Sequence, residues 1–184
     1  MRIGYLLVFI VLSLSFTTRG QDLYVVSKGN IRFNSRAPKE LIHATSDNMK
    51  GVFDADKKTF AFKIDIGSFT GFNTSLQKEH FNESYMESGR YPLATYTGKV
   101  IEDVDLRYDG EYNVRAKGKL VIHGMEQERI INSKIIVDGE KITIRSTFPV
   151  ALADHNIKIP RVVYDKLAPD INVDVNAVLV PKPR

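Results

Sequence analysis

Four histidines, His43, His80, His123 and His155, are the side chains of this sequence best suited to proton transfer or metal ligation near neutral pH. They stand far apart and form no close ligand pair of the H-E-x-x-H kind, so a metal site would require the fold to gather three of them. The sequence spells neither a nucleophile elbow nor a phosphate loop. Glu79, Glu83 and Glu87 recur at i, i+4 and i+8, a spacing at which like charges repel on a helix and which reads as a solvated face. Read blandly, His80 is a helix residue whose ring bonds a strand carbonyl, and His123 a turn residue before Gly124. No catalytic residue, metal ligand or cofactor is assigned on these grounds.

The apolar residues carry more information. Phe69 to Pro92 is the one long segment between strand-like runs that does not itself read as strand. Within it Ser75 to Met86 predicts a helix, with Ser75 as N-cap and Lys78 and Glu79 as good helix formers. Leu76, His80, Phe81, Tyr85 and Met86 give that helix a mostly apolar stripe. Glu87-Ser88-Gly89 supplies the stop, and Pro92 returns the chain to extended geometry. A single helix in a chain of strands must bury its stripe across one end of the β structure. Its rings then either plug a core or form the lid of an apolar cavity. On the lid reading Phe69, Phe72, His80, Phe81, Tyr85 and Met86 touch a ligand, together with Tyr91 at the end of the segment. Phe62 and Tyr96, on the flanking strands, complete the candidate ligand-binding set.

The elements that would position these residues alternate with period two. The run from Phe60 to Ile66 is the clearest: Phe60, Phe62, Ile64 and Ile66 share one face, and Ala61, Lys63 and Asp65 the other. Tyr112, Val114, Ala116, Gly118, Leu120 and Ile122 share a face of a long strand, whose small central residues either let the sheet coil tightly or leave room inside. Ser27 to Asn30 predicts a bend or bulge, Asp109-Gly110 and Asp138-Gly139 predict hairpin turns, and His123 to Glu126 predicts a further turn. About eight antiparallel strands joined mostly by short turns predict an all-β fold, a closed eight-stranded barrel with a short helix capping one end.

At 184 residues the chain has the length of one domain. Arg2, the apolar run Ile3 to Phe16 and the flank Thr17 to Gly20 read as a secretory signal peptide over residues 1–20, cut before Gln21, with residues 21–184 as the barrel domain. Without Arg2 and Arg19 the mature chain has 24 basic against 22 acidic residues, a balance that argues against a nucleic-acid partner. There is no cysteine, which excludes a disulfide framework and the acylated cysteine of a bacterial lipoprotein. In a Gram-negative host the product is expected free in the periplasm, without stable membrane insertion after cleavage; a homodimer is compatible with the sequence.

Three strings, LQKEHFNESYMESGRYP (Leu76 to Pro92), GKLVIHGMEQER (Gly118 to Arg129) and FPVALADHNIKIP (Phe148 to Pro160), occur in an order and spacing that resembles the YceI-like family of secreted bacterial proteins. FNSRAPKE (Phe33 to Glu40) and INVDV (Ile171 to Val175) extend the resemblance over the mature chain. The resemblance implies a lipocalin-like barrel capped by a helix, with a long apolar channel for a polyisoprenoid chain and a carrier or storage role without an established reaction. The chain departs from better-described members at Gln77-Lys78-Glu79, where an Arg-Asp pair is frequent, and at Asp154 to Ile157, where an Arg and an aromatic-Gly-Ile stretch are frequent; it looks like a shorter subfamily. The expected function is therefore a periplasmic lipid-binding protein and not an enzyme, whose partner is an apolar lipid, an isoprenoid or fatty-acyl chain. Two alternatives stand beside it: a metal- or His-dependent enzyme built on His80, His123 and His155, and a stress-response structural module with a filled core.

Overall fold

The computed structural model describes residues 23–183. The expected leader, residues 1–20, and its cut before Gln21 lie outside the described residues. Alternating apolar and polar side chains fold into nine antiparallel strands: β1 (Leu23–Arg36), β2 (Leu41–Ser46), β3 (Lys50–Asp54), β4 (Thr59–Asp65), β5 (Leu93–Val100), β6 (Gly110–Ile122), β7 (Met125–Asp138), β8 (Lys141–Ala151) and β9 (Asp170–Pro181). Each pairs with its neighbours, and β1 also pairs with β9 from Tyr24–Pro181 to Asn34–Asn172, which closes the sheet. β2 and β3 both lie along β1, on its C-terminal and N-terminal halves. From the Ile31–Ser46 pair to the Val25–Val52 pair both chains advance six residues, so the register runs on unbroken. Two short strands thus fill one place, and the closed barrel has eight. No helix among the described residues is long and apolar enough to cross a membrane.

The period-two reading of β4 fixes which face is inside. Phe60 and Ile64 are buried and Phe62 half-buried, whereas Ala61, Lys63 and Asp65 are exposed. The expected bend at Ser27 to Asn30 is a bulge within one continuous strand: the β1–β9 register shifts between Val26 and Lys28, and the Ser27 hydroxyl donates to the Val178 carbonyl (2.9 Å). The turn after Ile122 is tighter than the four residues expected. Ile122 and Met125 already pair, leaving His123 and Gly124 alone at φ of 52° and 71°, the left-handed pair of a type I′ hairpin. Asp109-Gly110 makes no tight hairpin. Residues 101–109 form a longer connection whose Leu106 is buried in the barrel end, and the Asp109 carboxylate accepts from the backbone N–H of Gly139 (2.9 Å) in the neighbouring β7–β8 turn.

Two features shape the wall. Gly98 of β5 faces Gly118 of β6, and the strands approach so closely there that a Cβ on Gly118 would lie 2.3 Å from the Thr97 carbonyl oxygen. The small residues in β6 therefore serve tight coiling. The second feature is a seam. β7 and β8 pair from Asp138–Lys141 to Ser133–Ser146 and no further, although each strand continues. Pro149 of β8 has no N–H to offer. Side chains bridge the gap instead: Arg129 donates to the Pro149 carbonyl (2.8 Å), and Gln127 donates to the Asp154 carbonyl (2.7 Å).

The helical segment crosses one end, but its local structure differs from the expected Ser75 to Met86 helix. Thr74, in extended conformation, is the N-cap, its Oγ1 accepting from Gln77 N–H (3.1 Å), and Ser75 is already helical. The α-helix α1 (Ser75–His80) then widens into a π turn over Phe81–Tyr85, closed by the Met86 N–H on the Phe81 carbonyl (2.9 Å). Glu87, at φ 42°, ends it and so leaves the row of exposed Glu79 and Glu83.

Gly118→Ala tests the close approach: the new methyl meets backbone that cannot yield cheaply, and the expected loss is about 1–3 kcal/mol in urea unfolding. A neutral Gly118→Ala would mean that β5 and β6 can part there without penalty.

Candidate functional site

Closing a sheet whose inner face carries mostly branched and aromatic side chains leaves an apolar interior, and this one is not filled. A cavity of about 550 Å³ runs inside the barrel, lined by residues from all nine strands. That volume falls within the ~300–1,000 Å³ typical of ligand pockets. Buried Leu106 closes the end away from α1. At the α1 end the cavity is bordered by exposed Leu76 and His80 on α1, by Glu40 before β2, and by Val163, Lys166 and Leu167 in the connection from β8 to β9. The mouth lies between these three segments.

Four phenylalanine rings form the lid. Phe81 of the π turn stacks on Phe33 of β1 (centroids 5.3 Å, interplanar angle 17°) and meets Phe72 at 5.1 Å and Phe69 at 5.7 Å. Phe69 is buried, while Phe33, Phe72 and Phe81 each keep part of their surface open. Such rings pack against a flexible hydrocarbon without demanding one geometry. Tyr85 and Met86, spaced by the wide π turn, line the same cavity.

Polar groups inside are few and mutually satisfied. The hydroxyls of Ser133 and Ser146 hydrogen-bond each other across β7 and β8 (2.7 Å). The Tyr96 hydroxyl donates to the Ala116 carbonyl (2.6 Å), with the Arg129 carbonyl at 3.2 Å; burial pushes its pKa up to about 12, so it stays a neutral donor. Nothing in this arrangement supplies a nucleophile beside a base. It can hold an apolar chain, its hydroxyls already committed to one another and to strand carbonyls.

Of the sequence-predicted set, the fold brings Phe62, Phe69, Phe72, His80, Phe81, Tyr85, Met86 and Tyr96 to the cavity wall or its mouth. Tyr91 lies outside it. Its ring packs edge-on against His123 (4.6 Å) beneath the Arg90 guanidinium (5.1 Å), in space left by the missing side chain of Gly124, where a Cβ would meet the Tyr91 ring at 2.5 Å. His80 is exposed at the mouth and makes no hydrogen bond to a strand carbonyl among the described residues. Arg90 faces Glu87 (3.8 Å) besides Tyr91, not the mouth. Sequence reasoning missed Ser133 and Ser146, whose place in the inward alternation Ile131-Ser133-Ile135 and Ile144-Ser146-Phe148 was a readable signal. It also missed Val163 and Leu167, which no periodicity marks.

His123 and His155 do meet, beside the β6–β7 turn. His123 Nδ1 lies 3.0 Å from the His155 carbonyl and its Nε2 3.6 Å from the Glu87 carboxylate. His155 is fully buried, with Nδ1 3.3 Å from the Met125 carbonyl, and burial lowers its pKa. Among the described residues no three histidine or carboxylate side chains converge as a metal site.

Residues 24–179 match the model of the YceI-like domain, and the chain belongs to that family. The fold is similar to a polyisoprenoid binding domain from Saccharophagus degradans implicated in plant cell wall breakdown: TM-score 0.74, 15% identity, covering 86% of this chain and 98% of that one. It is also similar to Burkholderia cenocepacia BcnA (TM-score 0.66, 16% identity, 82% and 95% covered). The Campylobacter jejuni YceI protein is a third likeness (TM-score 0.60, 17% identity, 76% and 84% covered). Among curated proteins the sequence finds no match.

The buried His155 sets a pH dependence. With its folded pKa below the ordinary value near 6.5, the unfolded chain binds the extra proton first as pH falls. Stability from this group is intact above that value and declines below it, by at most about 1.4 kcal/mol per pH unit. Urea unfolding at pH 7.5 and 5 should show the decline, and His155→Gln, less stable at pH 7.5, should flatten it. An unchanged slope in the variant would assign the acid sensitivity elsewhere.

Proposed function

We propose that the protein holds a long apolar chain, a polyisoprenoid or similar lipid, inside its barrel, and carries or stores it in the periplasm. The observation that carries this reading is the unfilled apolar interior, lined from every strand and bordered at its mouth by exposed side chains. Dry walls suit a hydrocarbon: each buried methylene contributes about 0.8 kcal/mol, so about ten supply roughly 8 kcal/mol before ordering costs are met. Affinity then comes from length. The likeness to a domain described as polyisoprenoid-binding supports the same ligand class, as does membership of the YceI-like family. Retention falls to the lid, where Phe81 stacks on Phe33 over the cavity. The four-ring lid and the hydroxyl pairs inside favour binding over catalysis.

The test is organic extraction and mass spectrometry of protein purified from its own periplasm, alongside titration with a fluorescent prenyl or fatty-acyl probe. A co-purified lipid and saturable probe binding are expected. Ser146→Phe, which fills the cavity beside Ser133, should abolish probe binding while the protein still melts cooperatively. Phe81→Ala should leave the barrel folded and speed probe release. An empty extract together with absent probe binding would sink the reading; lost stability with unchanged probe release in Phe81→Ala would make the lid architecture only.

A further inference from the structure

We infer that the rim around the cavity mouth is a docking surface for an anionic lipid bilayer, an inference that rests on the apolar-chain reading above. Four large apolar side chains with at least half their surface in water stand on the three segments that border the mouth: Leu41 (50%), Leu76 (55%), Tyr164 (60%) and Val162 (84%). Direct contacts hold those segments together. Asn73, just before α1, donates to the Leu41 carbonyl (3.0 Å), and Lys39 pairs with Asp165 (2.6 Å). In the turn Arg161–Val163 the central residues divide: Val163 lines the cavity, while Val162 and then Tyr164 protrude into solvent. With Leu41 and Leu76 they give the rim an apolar surface that suits the headgroup boundary of a membrane.

Charge selects the kind of surface. Lys158 and Arg161, just before the protruding residues, are exposed, Lys166 borders the mouth, and none of the three enters an ion pair among the described residues. Of the carboxylates nearby, Asp165 is engaged by Lys39 and Glu40 by the side-chain amide of Gln77, whereas Glu79 and Glu83 on the helical segment are exposed, so the cationic character is concentrated on the connection that carries Lys158, Arg161 and Lys166. At the opposite end the cations that meet the connection are already paired: in residues 101–109 Glu102 holds Arg115, Asp103 holds Lys58 and Asp105 holds Arg107. An anionic bilayer therefore orients the molecule mouth down, with cations at the phosphates and Val162 and Tyr164 at the acyl boundary. A chain leaving the bilayer then enters the cavity without crossing water, the step that would otherwise cost most of its burial free energy.

The test is co-sedimentation with vesicles of phosphatidylglycerol and phosphatidylcholine against phosphatidylcholine alone, at low and high salt. Probe binding in vesicle-free buffer is read separately. Wild-type protein is expected on the anionic vesicles only, released by salt. The double variant Val162→Asp/Tyr164→Asp, and separately Lys158→Glu/Arg161→Glu, should lose about tenfold or more in partitioning. Both should keep the melting temperature and the probe affinity in buffer, since neither pair lines the cavity. Tyr108→Asp, at the far end, should partition as wild type. Wild type that ignores anionic vesicles, or a double variant that partitions unchanged, overturns the docking surface. Absent probe binding in buffer instead strikes the apolar-chain reading itself.

Discussion

Every property of this molecule depends on β1 meeting β9. Their ladder of backbone hydrogen bonds converts a curled sheet into a barrel, and closure removes the edges that would otherwise seek partners. Once closed, the alternation of side chains leaves each strand no choice. One face goes inside, and a shift of a single residue would carry Phe60, Phe62 and Ile64 to water and Lys63 to the core. The bulge at Ser27 and the close passage of Gly98 over Gly118 are the local means by which the sheet bends enough for the ladder to form. An eight-stranded wall then encloses just enough volume for a slender guest.

The two places where the wall lacks backbone pairing are also where side chains take over. At the seam beyond Ser133–Ser146, Arg129 reaches across to the carbonyl of Pro149, which has no N–H of its own, and Gln127 to the carbonyl of Asp154. At the mouth, no strand spans the barrel end, so α1 and its π turn lie across it and present Phe81 to Phe33. The π turn matters because its wider spacing sets Phe81, Tyr85 and Met86 along the same wall. Ring-on-ring contacts of this kind are cohesive but not rigidly directional, which is what a lid over a flexible chain requires.

The polar content of the interior is organised to be silent. Ser133 satisfies Ser146, and Tyr96 satisfies strand carbonyls while burial keeps it protonated. His123 and His155 lie away from the cavity, beside the β6–β7 turn, where the left-handed His123-Gly124 pair leaves room for Tyr91. Titration of His155 thus bears on stability and not on the cavity.

The amino-acid sequence by itself determined the strand faces, the eight-place barrel and the position of the one helical crossing, because period-two alternation and turn residues are local signals that closure merely enforces. The family was legible for the same reason, its strings lying in the strands and lid that make the fold. Tertiary structure alone decided the rest. Ser75 looked the natural cap, but only backbone geometry shows Thr74 in the extended conformation a cap needs. Tyr91 looked like a lid residue by its neighbours in sequence, yet the space beside Gly124, 33 residues away along the chain, drew its ring outward. Val163 and Leu167 reach the cavity from an irregular connection with no period to read. Whether the interior would be filled or open depended on how far eight strands are held apart, a property of the closed wall that no single stretch of the chain contains.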